Sequence, residues 1–173
     1  MFTDTHAHYD DEAFEGERDN ILSSLREKGV EFIVNAAQDY ETSLKCIKLA
    51  ERYDNVYAAV GIHPHNAGSF SEEIIERLAK LVAEHPRVVA IGETGLDYHY
   101  DFSPRDRQRE NFIANIRLAK SLDLPVIIHD REAHEDVINI MIGEDIPPHK
   151  AVFHCYSGSV ETARVISKKG WYF

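Results

Sequence analysis

The sequence contains little cysteine, no long apolar run and no basic tract, and each scarcity argues against a class of protein. Two cysteines, Cys46 and Cys155, occur in 173 residues, which is too few for a disulfide scaffold. We therefore expect both to be small buried side chains in a reduced protein. No apolar run approaches the roughly 18 residues that a membrane span needs, and the N-terminus lacks a signal pattern. The expectation is a cytoplasmic protein without membrane contact.

The charge balance is acidic, with a formal net charge of -11 at pH 7. A protein with this net charge is not expected to bind nucleic acid by general electrostatic attraction, because such binding requires clustered lysine and arginine side chains that contact the phosphates. A nucleic-acid substrate remains open, since cations held by acidic and imidazole ligands would provide the missing positive charge. Ten histidines supply candidates for such a cluster.

Length and hydrophobic periodicity indicate one α/β domain over residues 1–173. Short apolar, β-branched runs are bounded by glycine, proline, asparagine or charged residues, as expected of strands buried on both faces. They span residues 2–5, 30–34, 56–62, 88–92, 125–129 and 151–154, with a seventh beginning at 171. Segments of helical period lie between them, at 17–28, 39–53, 71–86, 103–119, 132–142 and 159–169. This alternation predicts a parallel sheet covered by helices, either open and doubly wound or closed as a barrel.

Capping residues predict where two of the helices begin. Ser71 is the expected N-cap of the third helix, since a serine hydroxyl accepts a hydrogen bond from an unpaired N–H of the first turn. Ser103 is the expected N-cap of the fourth, with Pro104 at the first helical position and Asp106 at the third.

Imidazole and carboxylate side chains follow the C-terminal ends of five predicted strands. At the first end, His6 and His8 project to one side, because side chains alternate along a strand. The other four ends carry His63 and His65, Glu93 and Asp97, His129 and Asp130, and His154. Parallel strands bring their C-terminal ends to one rim, so the sequence predicts a metal site there.

Five segments, in this order and spacing, resemble the TatD-type metal-dependent deoxyribonucleases of the amidohydrolase-like metallohydrolases. The resemblance covers essentially all of the chain. The segments are Thr3-Asp4-Thr5-His6-Ala7-His8, Gly61-Ile62-His63-Pro64-His65, Gly92-Glu93-Thr94-Gly95-Leu96-Asp97-Tyr98, Pro125-Val126-Ile127-Ile128-His129-Asp130-Arg131 and His154-Cys155-Tyr156-Ser157-Gly158. Together they are far more specific than the first histidine pair alone.

The resemblance implies an eight-stranded (β/α) TIM barrel that holds two divalent cations at its C-terminal rim. His6 and His8 would bind one ion, His129 and His154 would bind the other, and Glu93 would bridge both. A carboxylate suits that position because its two oxygens can span ions about 3.5–4 Å apart. Imidazole and carboxylate ligands leave the metal open among Mg, Mn and Zn.

The implied activity is two-metal hydrolysis of phosphodiester bonds in DNA, with Glu93, His63 and Arg131 as the catalytic residues. Arg131 presents a planar guanidinium that matches two phosphate oxygens, and His63 is a second phosphate-side donor. A loop histidine and a salt bridge at a helix start are the structural alternatives for these two residues. For His65, as for His63, the structural alternative is a loop histidine beside a proline. We interpret Asp97, His99 and Asp101, in the loop after the fourth strand, as structural or supporting, and three histidines as surface residues (His85, His134 and His149).

The chain stops inside the predicted seventh strand, whereas barrels of this type have eight strands and about 250 residues. By resemblance, an aspartate near the end of strand eight would complete the first metal site, and no aspartate follows His154. We therefore expect a C-terminally truncated, incomplete barrel with unpaired sheet edges. Such a chain would be weakly stable and poorly active in isolation.

Two other functions fit the same residues. A metallohydrolase of another ester or amide is one, because this fold hosts many substrates. A truncated remnant without activity, which binds metal or a partner through exposed strand edges, is the other. For the leading function the expected partner is DNA as substrate, with no obligate protein partner and a monomer when full length.

Overall fold

The computed structural model of the protein describes residues 1–173 as six strands, each followed by a helix. The strands are β1 (Phe2–Ala7), β2 (Val30–Ala36), β3 (Val56–Val60), β4 (Val88–Asp97), β5 (Val126–Arg131) and β6 (Ala151–Phe153). The helices are α1 (Arg18–Ser24), α2 (Tyr40–Arg52), α3 (Glu72–Glu84), α4 (Arg105–Ser121), α5 (His134–Gly143) and α6 (Val160–Lys168). Short 3₁₀ turns occur at Glu12–Phe14 and Pro64–Ser69. No helix is both long and apolar enough to cross a bilayer.

All six strands are parallel and lie in the order in which they occur along the chain. Five strand spacings of about 4.8 Å would place β1 and β6 roughly 24 Å apart in a flat sheet. Instead, the rings of His6 on β1 and His154 after β6 stack with centroids 3.7 Å apart. The sheet therefore curls so that side chains from its two edge strands meet inside the C-terminal rim. This confirms the predicted barrel type over the open doubly wound alternative.

Side-chain alternation divides the apolar residues into two layers. The larger layer, which contains Ala58, Val60, Ile91, Val126 and Ile128, packs against the helices. On the concave face, the small side chains of Ala36, Ala59 and Ala90 line up across neighbouring strands, and Ile127 packs against them. Small residues there leave room above them for larger polar side chains at the strand ends.

One of the two predicted helix caps is confirmed and the other is wrong. Ser71 Oγ accepts a hydrogen bond from the Ile74 N–H at 3.3 Å. At α4 the N-cap is Pro104, which makes no side-chain capping bond. The Ser103 hydroxyl instead accepts from the Gly68 N–H at 3.0 Å and donates to the His65 carbonyl at 2.8 Å. It thereby ties together the loops that follow β3 and β4.

Three other expectations require correction. β4 continues from Gly92 to Asp97, five residues beyond the predicted end. The expected seventh strand is present only as an isolated bridge between Tyr172 and Val152. Cys46 is buried as predicted, whereas Cys155 is exposed, because it lies in the turn that follows β6 and not in a packed element.

Candidate metal centre

Glu93 lies at the middle of the C-terminal rim with imidazoles on both sides of its carboxylate. Its Oε2 atom is 2.9 Å from His6 Nε2 and 3.4 Å from His8 Nε2. Its Oε1 atom is 2.7 Å from His129 Nδ1 and 2.6 Å from His154 Nε2. The structure thus brings together five residues that the sequence predicted as metal ligands, from both edge strands and from β4 and β5.

Hydrogen bonding among neutral side chains cannot account for all of the short distances. His8 Nδ1 lies 2.8 Å from the Ala36 carbonyl, so Nδ1 carries a hydrogen and donates it. In the neutral ring, Nε2 then has only a lone pair to present to the Glu93 carboxylate. A lone pair facing a carboxylate oxygen is repulsive unless a proton or a cation lies between them. The donor set, one carboxylate and several imidazoles, fits divalent transition-metal cations.

Asp97 fixes the orientation of the His129 ring in the way that the Ala36 carbonyl fixes His8, by accepting a hydrogen bond from one ring nitrogen. Asp97 Oδ2 accepts from His129 Nε2 at 3.0 Å, so Nε2 carries the hydrogen and Nδ1 points at Glu93. A carboxylate that orients a ligand histidine in this way sets its tautomer and raises its basicity. Asp97 was interpreted from the sequence as structural or supporting, and its contact with His129 agrees with that role.

Gly95 allows His129 to sit between two carboxylates. Glu93, Gly95 and Asp97 alternate along β4 and share one face, and Gly95 pairs across the ladder with His129. A Cβ atom on Gly95 would lie 1.9 Å from the His129 carbonyl oxygen, and its φ is +146°. The missing side chain therefore permits β4 and β5 to approach closely, with the imidazole held at both nitrogens.

The electrostatics of the centre depend on burial and on this imidazole cluster. Burial of Glu93 opposes ionisation, but hydrogen bonds from His129, His154, His6 and His63 outweigh it and hold the pKa of Glu93 well below its usual range. Burial likewise opposes charge on His129, yet its bond to Glu93 raises the pKa of His129 above 6.5. When no cation is bound, protonated imidazoles would therefore balance the negative charge of the buried carboxylate.

Asp97 is ionised as well. Burial would raise its pKa, but the Tyr100 N–H at 2.8 Å together with His65 and His129 lowers the pKa of Asp97 to about 2. Its Oδ2 also accepts from His65 Nε2 at 2.8 Å. One buried carboxylate thus connects His129 to the loop residues His65 and Tyr100.

His63 differs from its neighbours because it stays neutral. Burial lowers the pKa of His63 to about 4 despite the nearby Glu93. Its Nδ1 accepts the His65 N–H at 3.1 Å, so the ring hydrogen is on Nε2, which lies 3.5 Å from Glu93 Oε1. His63 therefore presents a neutral N–H donor to the centre.

Arg131 ends β5 at the same rim but does not contact Glu93. Its side chain is exposed and makes no ion pair, and its guanidinium lies 5.2 Å from the ring of Tyr100. The salt-bridge alternative for Arg131 is therefore absent from this structure. His134, expected at the surface, is half-buried and bonds to Asp130 Oδ2 at 2.7 Å, because the first turn of α5 folds back over the end of β5.

Buried amides support β4 from outside the centre, and sequence reasoning missed them. Gln108 on α4 accepts from the Asp97 N–H at 2.8 Å and donates to the Asp97 carbonyl at 3.1 Å. Asn111 donates to the Ile62 carbonyl at 2.8 Å. Amides on the sheet-facing side of a helix were the available signal, since such residues are seldom buried without a specific partner.

A model of the family described as "TatD related DNase" matches residues 3–173. The chain is 41% identical over 172 residues to the "Uncharacterized metal-dependent hydrolase YabD" of Bacillus subtilis, covering 99% of this chain and 67% of that protein. It is 35% identical over 161 residues to the "3'-5' ssDNA/RNA exonuclease TatD" of Cronobacter turicensis, covering 92% of this chain and 60% of that protein.

Structural comparison leads to the same family. The crystal structure of YjjV, a TatD homologue from Escherichia coli, superimposes with a TM-score of 0.90 at 34% identity, over 98% of this chain and 66% of that one. The chain thus spans about two thirds of the length of the relatives that it matches. It belongs to the TatD-related DNase family of metal-dependent hydrolases.

Proposed function

We propose that this centre binds two divalent cations and hydrolyses phosphodiester bonds in nucleic acid. The observation that carries the proposal is the division of ligands about Glu93. One carboxylate oxygen faces His6 and His8, and the other faces His129 and His154. Two separate ligand sets that share one carboxylate are the arrangement by which protein sites hold a pair of cations.

The protein orients one ligand histidine on each side of Glu93. His129 is fixed at Nε2 by Asp97 and His8 at Nδ1 by the Ala36 carbonyl, so each presents its other nitrogen to Glu93. Bound divalent cations would activate water as a nucleophile and polarise the phosphoryl oxygens. The candidate metals remain Mg, Mn and Zn.

Two residues are assigned to the phosphate. His63 offers a neutral Nε2–H beside Glu93, which can donate to a phosphoryl oxygen without adding a charge that would repel cations. Arg131, with no carboxylate partner, offers a bidentate fork at the edge of the centre. Together they would orient the phosphodiester so that water attacks phosphorus and the departing alcohol oxygen takes up a proton.

The substrate class rests on the relatives. One protein at 35% identity is named a single-stranded DNA and RNA exonuclease, and the family description names a DNase. An acidic chain of net charge -11 can act on a polyanion when cations and Arg131 provide the positive charge at the rim.

The test is cleavage of end-labelled single-stranded DNA and RNA with Mg, Mn or Zn, with a chelator control. Glu93→Gln keeps the side-chain shape and removes the charge. We expect this variant to lower the cleavage rate by more than about a hundredfold. Even the residues that only hydrogen-bond to metal ligands change metal affinity or activity by about 10–100-fold when mutated. Glu76→Gln, on the exposed surface of α3, is the matched control and should leave cleavage unchanged.

Two results would contradict the proposal. Cleavage that persists in Glu93→Gln or in the chelator would show that the carboxylate does not hold catalytic metal. Hydrolysis of acyl esters or amides without phosphodiester cleavage would favour the other metallohydrolase function.

A further inference from the structure

Two aromatic rings at the rim are exposed in the loop between β4 and α4. Tyr100 is 49% exposed and Phe102 is 69% exposed. Their rings stack with centroids 5.4 Å apart and an interplanar angle of 29°. Exposed apolar side chains that lie together in a patch, unlike those scattered singly, mark binding sites.

These two rings, here called the aromatic platform, are attached to the metal centre. The Phe102 ring lies 4.8 Å from His65, and the His65 ring lies 5.9 Å from His129. The Tyr100 N–H donates to Asp97, the carboxylate that also holds His129. The platform is therefore one side chain away from the proposed ligand His129.

The platform also has an unpaired cation beside it. The Arg131 guanidinium lies 5.2 Å from the Tyr100 ring centroid and makes no ion pair. A ligand that places a flat apolar group on the rings and an anionic group at Arg131 satisfies both features. A nucleotide has this combination, since every base offers a π-face and every nucleotide carries a phosphate.

We propose that Tyr100 and Phe102 stack an unpaired nucleobase of the substrate while Arg131 contacts the adjoining phosphate. The proposal rests on the proposed function, in that it names how a nucleic-acid strand is seated beside the same centre. Stacking of this kind tolerates any base, so the platform favours single strands without reading sequence. It would not distinguish DNA from RNA.

The test compares two ligands that share a phosphate and differ in the base. Binding of deoxyadenosine monophosphate and of deoxyribose phosphate to the Mn-loaded protein is measured by calorimetry. We expect the nucleotide to bind roughly 5- to 150-fold more tightly, the range that base–aromatic stacking provides. The variant Tyr100→Ala with Phe102→Ala should remove this difference while deoxyribose phosphate binds as before.

Phe2→Ala is the matched control. Phe2 is 71% exposed, like Phe102, but lies at the opposite end of the barrel, at the start of β1. It should leave the preference for the nucleotide unchanged, and Phe102→Trp should retain it. Three results would overturn the proposal: equal binding of the two ligands, undetectable binding of both, or a preference that survives in the double variant. Because binding is measured and not turnover, this outcome is independent of whether the protein cleaves DNA.

Discussion

The central strands and the edge strands contribute to the same centre but are built differently. β4 pairs with a strand on each side, and all of its residues except Val89 are buried. β1 pairs only with β2, has two register shifts, and exposes half of its residues. Glu93 accordingly has a side chain that is 3% exposed, against 31% for His8.

This difference indicates where the centre is rigid. On the central side, Gln108 fixes the C-terminal end of β4, and Asp97 at that end fixes the tautomer of His129. On the edge side, His8 follows β1, a strand with one partner, and is held by a hydrogen bond to the Ala36 carbonyl. We expect the cation beside His129 to bind more tightly than the cation beside His8.

The largest effect should come from closing the space between the central strands. Gly95→Ala would place a Cβ atom 1.9 Å from the His129 carbonyl oxygen at a φ of +146°. We expect a loss of about 2–6 kcal/mol in the free energy of unfolding, from about 1–3 kcal/mol of backbone strain and a similar cost of overpacking. Urea denaturation measures it. In Gly143→Ala an added Cβ meets nothing within 4 Å, so a comparable loss there would refute the steric explanation.

The next effect concerns metal affinity on the central side alone. Asp97→Asn keeps the shape but weakens the acceptor for His129 Nε2–H. Removing a carboxylate that hydrogen-bonds to a ligand histidine typically lowers metal affinity by about 10–100-fold. Calorimetric titration with Mn should show that loss in the tighter of two binding steps. Asp101→Asn, at an exposed aspartate paired with Arg105, is the control. A loss confined to the weaker step would reverse the comparison.

The pH should affect the stability of the metal-free and the metal-loaded protein differently. The hydrogen bond to Glu93 raises the pKa of His8, and the same partner raises that of His129 against the effect of burial. Groups with a raised folded pKa stabilise the fold below the unfolded value of 6.5, and this contribution is lost as the pH rises through the folded pKa.

Metal binding requires both imidazoles to be neutral, so the affinity should rise by about tenfold per pH unit for each proton displaced. As the pH rises from 6.5 through the folded pKa values, the thermal midpoint of the chelated protein should fall. That of the Mn-loaded protein should stay level over the same range, because its imidazoles carry no proton in either the folded or the unfolded state. Parallel changes in the two forms would show that protons and cations do not compete at the centre.

The smallest effect is expected on the edge side. Arg18 donates to the Tyr9 carbonyl and, at 2.8 Å, to the Asp11 carbonyl, which fixes the loop after His8. Arg18→Met should cost about 1 kcal/mol, seen as roughly fivefold weaker binding in the second Mn step only. Arg26→Met, at an exposed arginine in the turn between α1 and β2, should change neither step.

Much of this organisation could be predicted from the sequence because it depends on periodicity. Short apolar runs located the strands, and the parallel order placed Glu93, His129 and His154 at one rim. The extension of β4 to Asp97 was missed, because Gly92 and Gly95 look like the end of a strand. The structure shows that Gly95 is needed where the backbone of β5 comes too close for a side chain.

Other features depend on long-range contacts that no local pattern encodes. Ser103 had the signature of a helix cap, but its hydroxyl is used between two loops. The exposure of Cys155 and the alignment of Tyr100 with Phe102 follow from loop conformations after β6 and β4. The contact between Asp97 and His129 could be predicted only if the register of β4 against β5 were known.

The central claim is that Glu93 joins two cations, and electron paramagnetic resonance of the Mn-saturated protein tests it directly. A carboxylate-bridged pair of Mn ions is exchange-coupled and gives a spectrum unlike that of isolated ions. We predict a coupled spectrum with two Mn per chain, and loss of coupling in Glu93→Gln. A saturated protein with one Mn per chain, or with two uncoupled ions, would contradict the account.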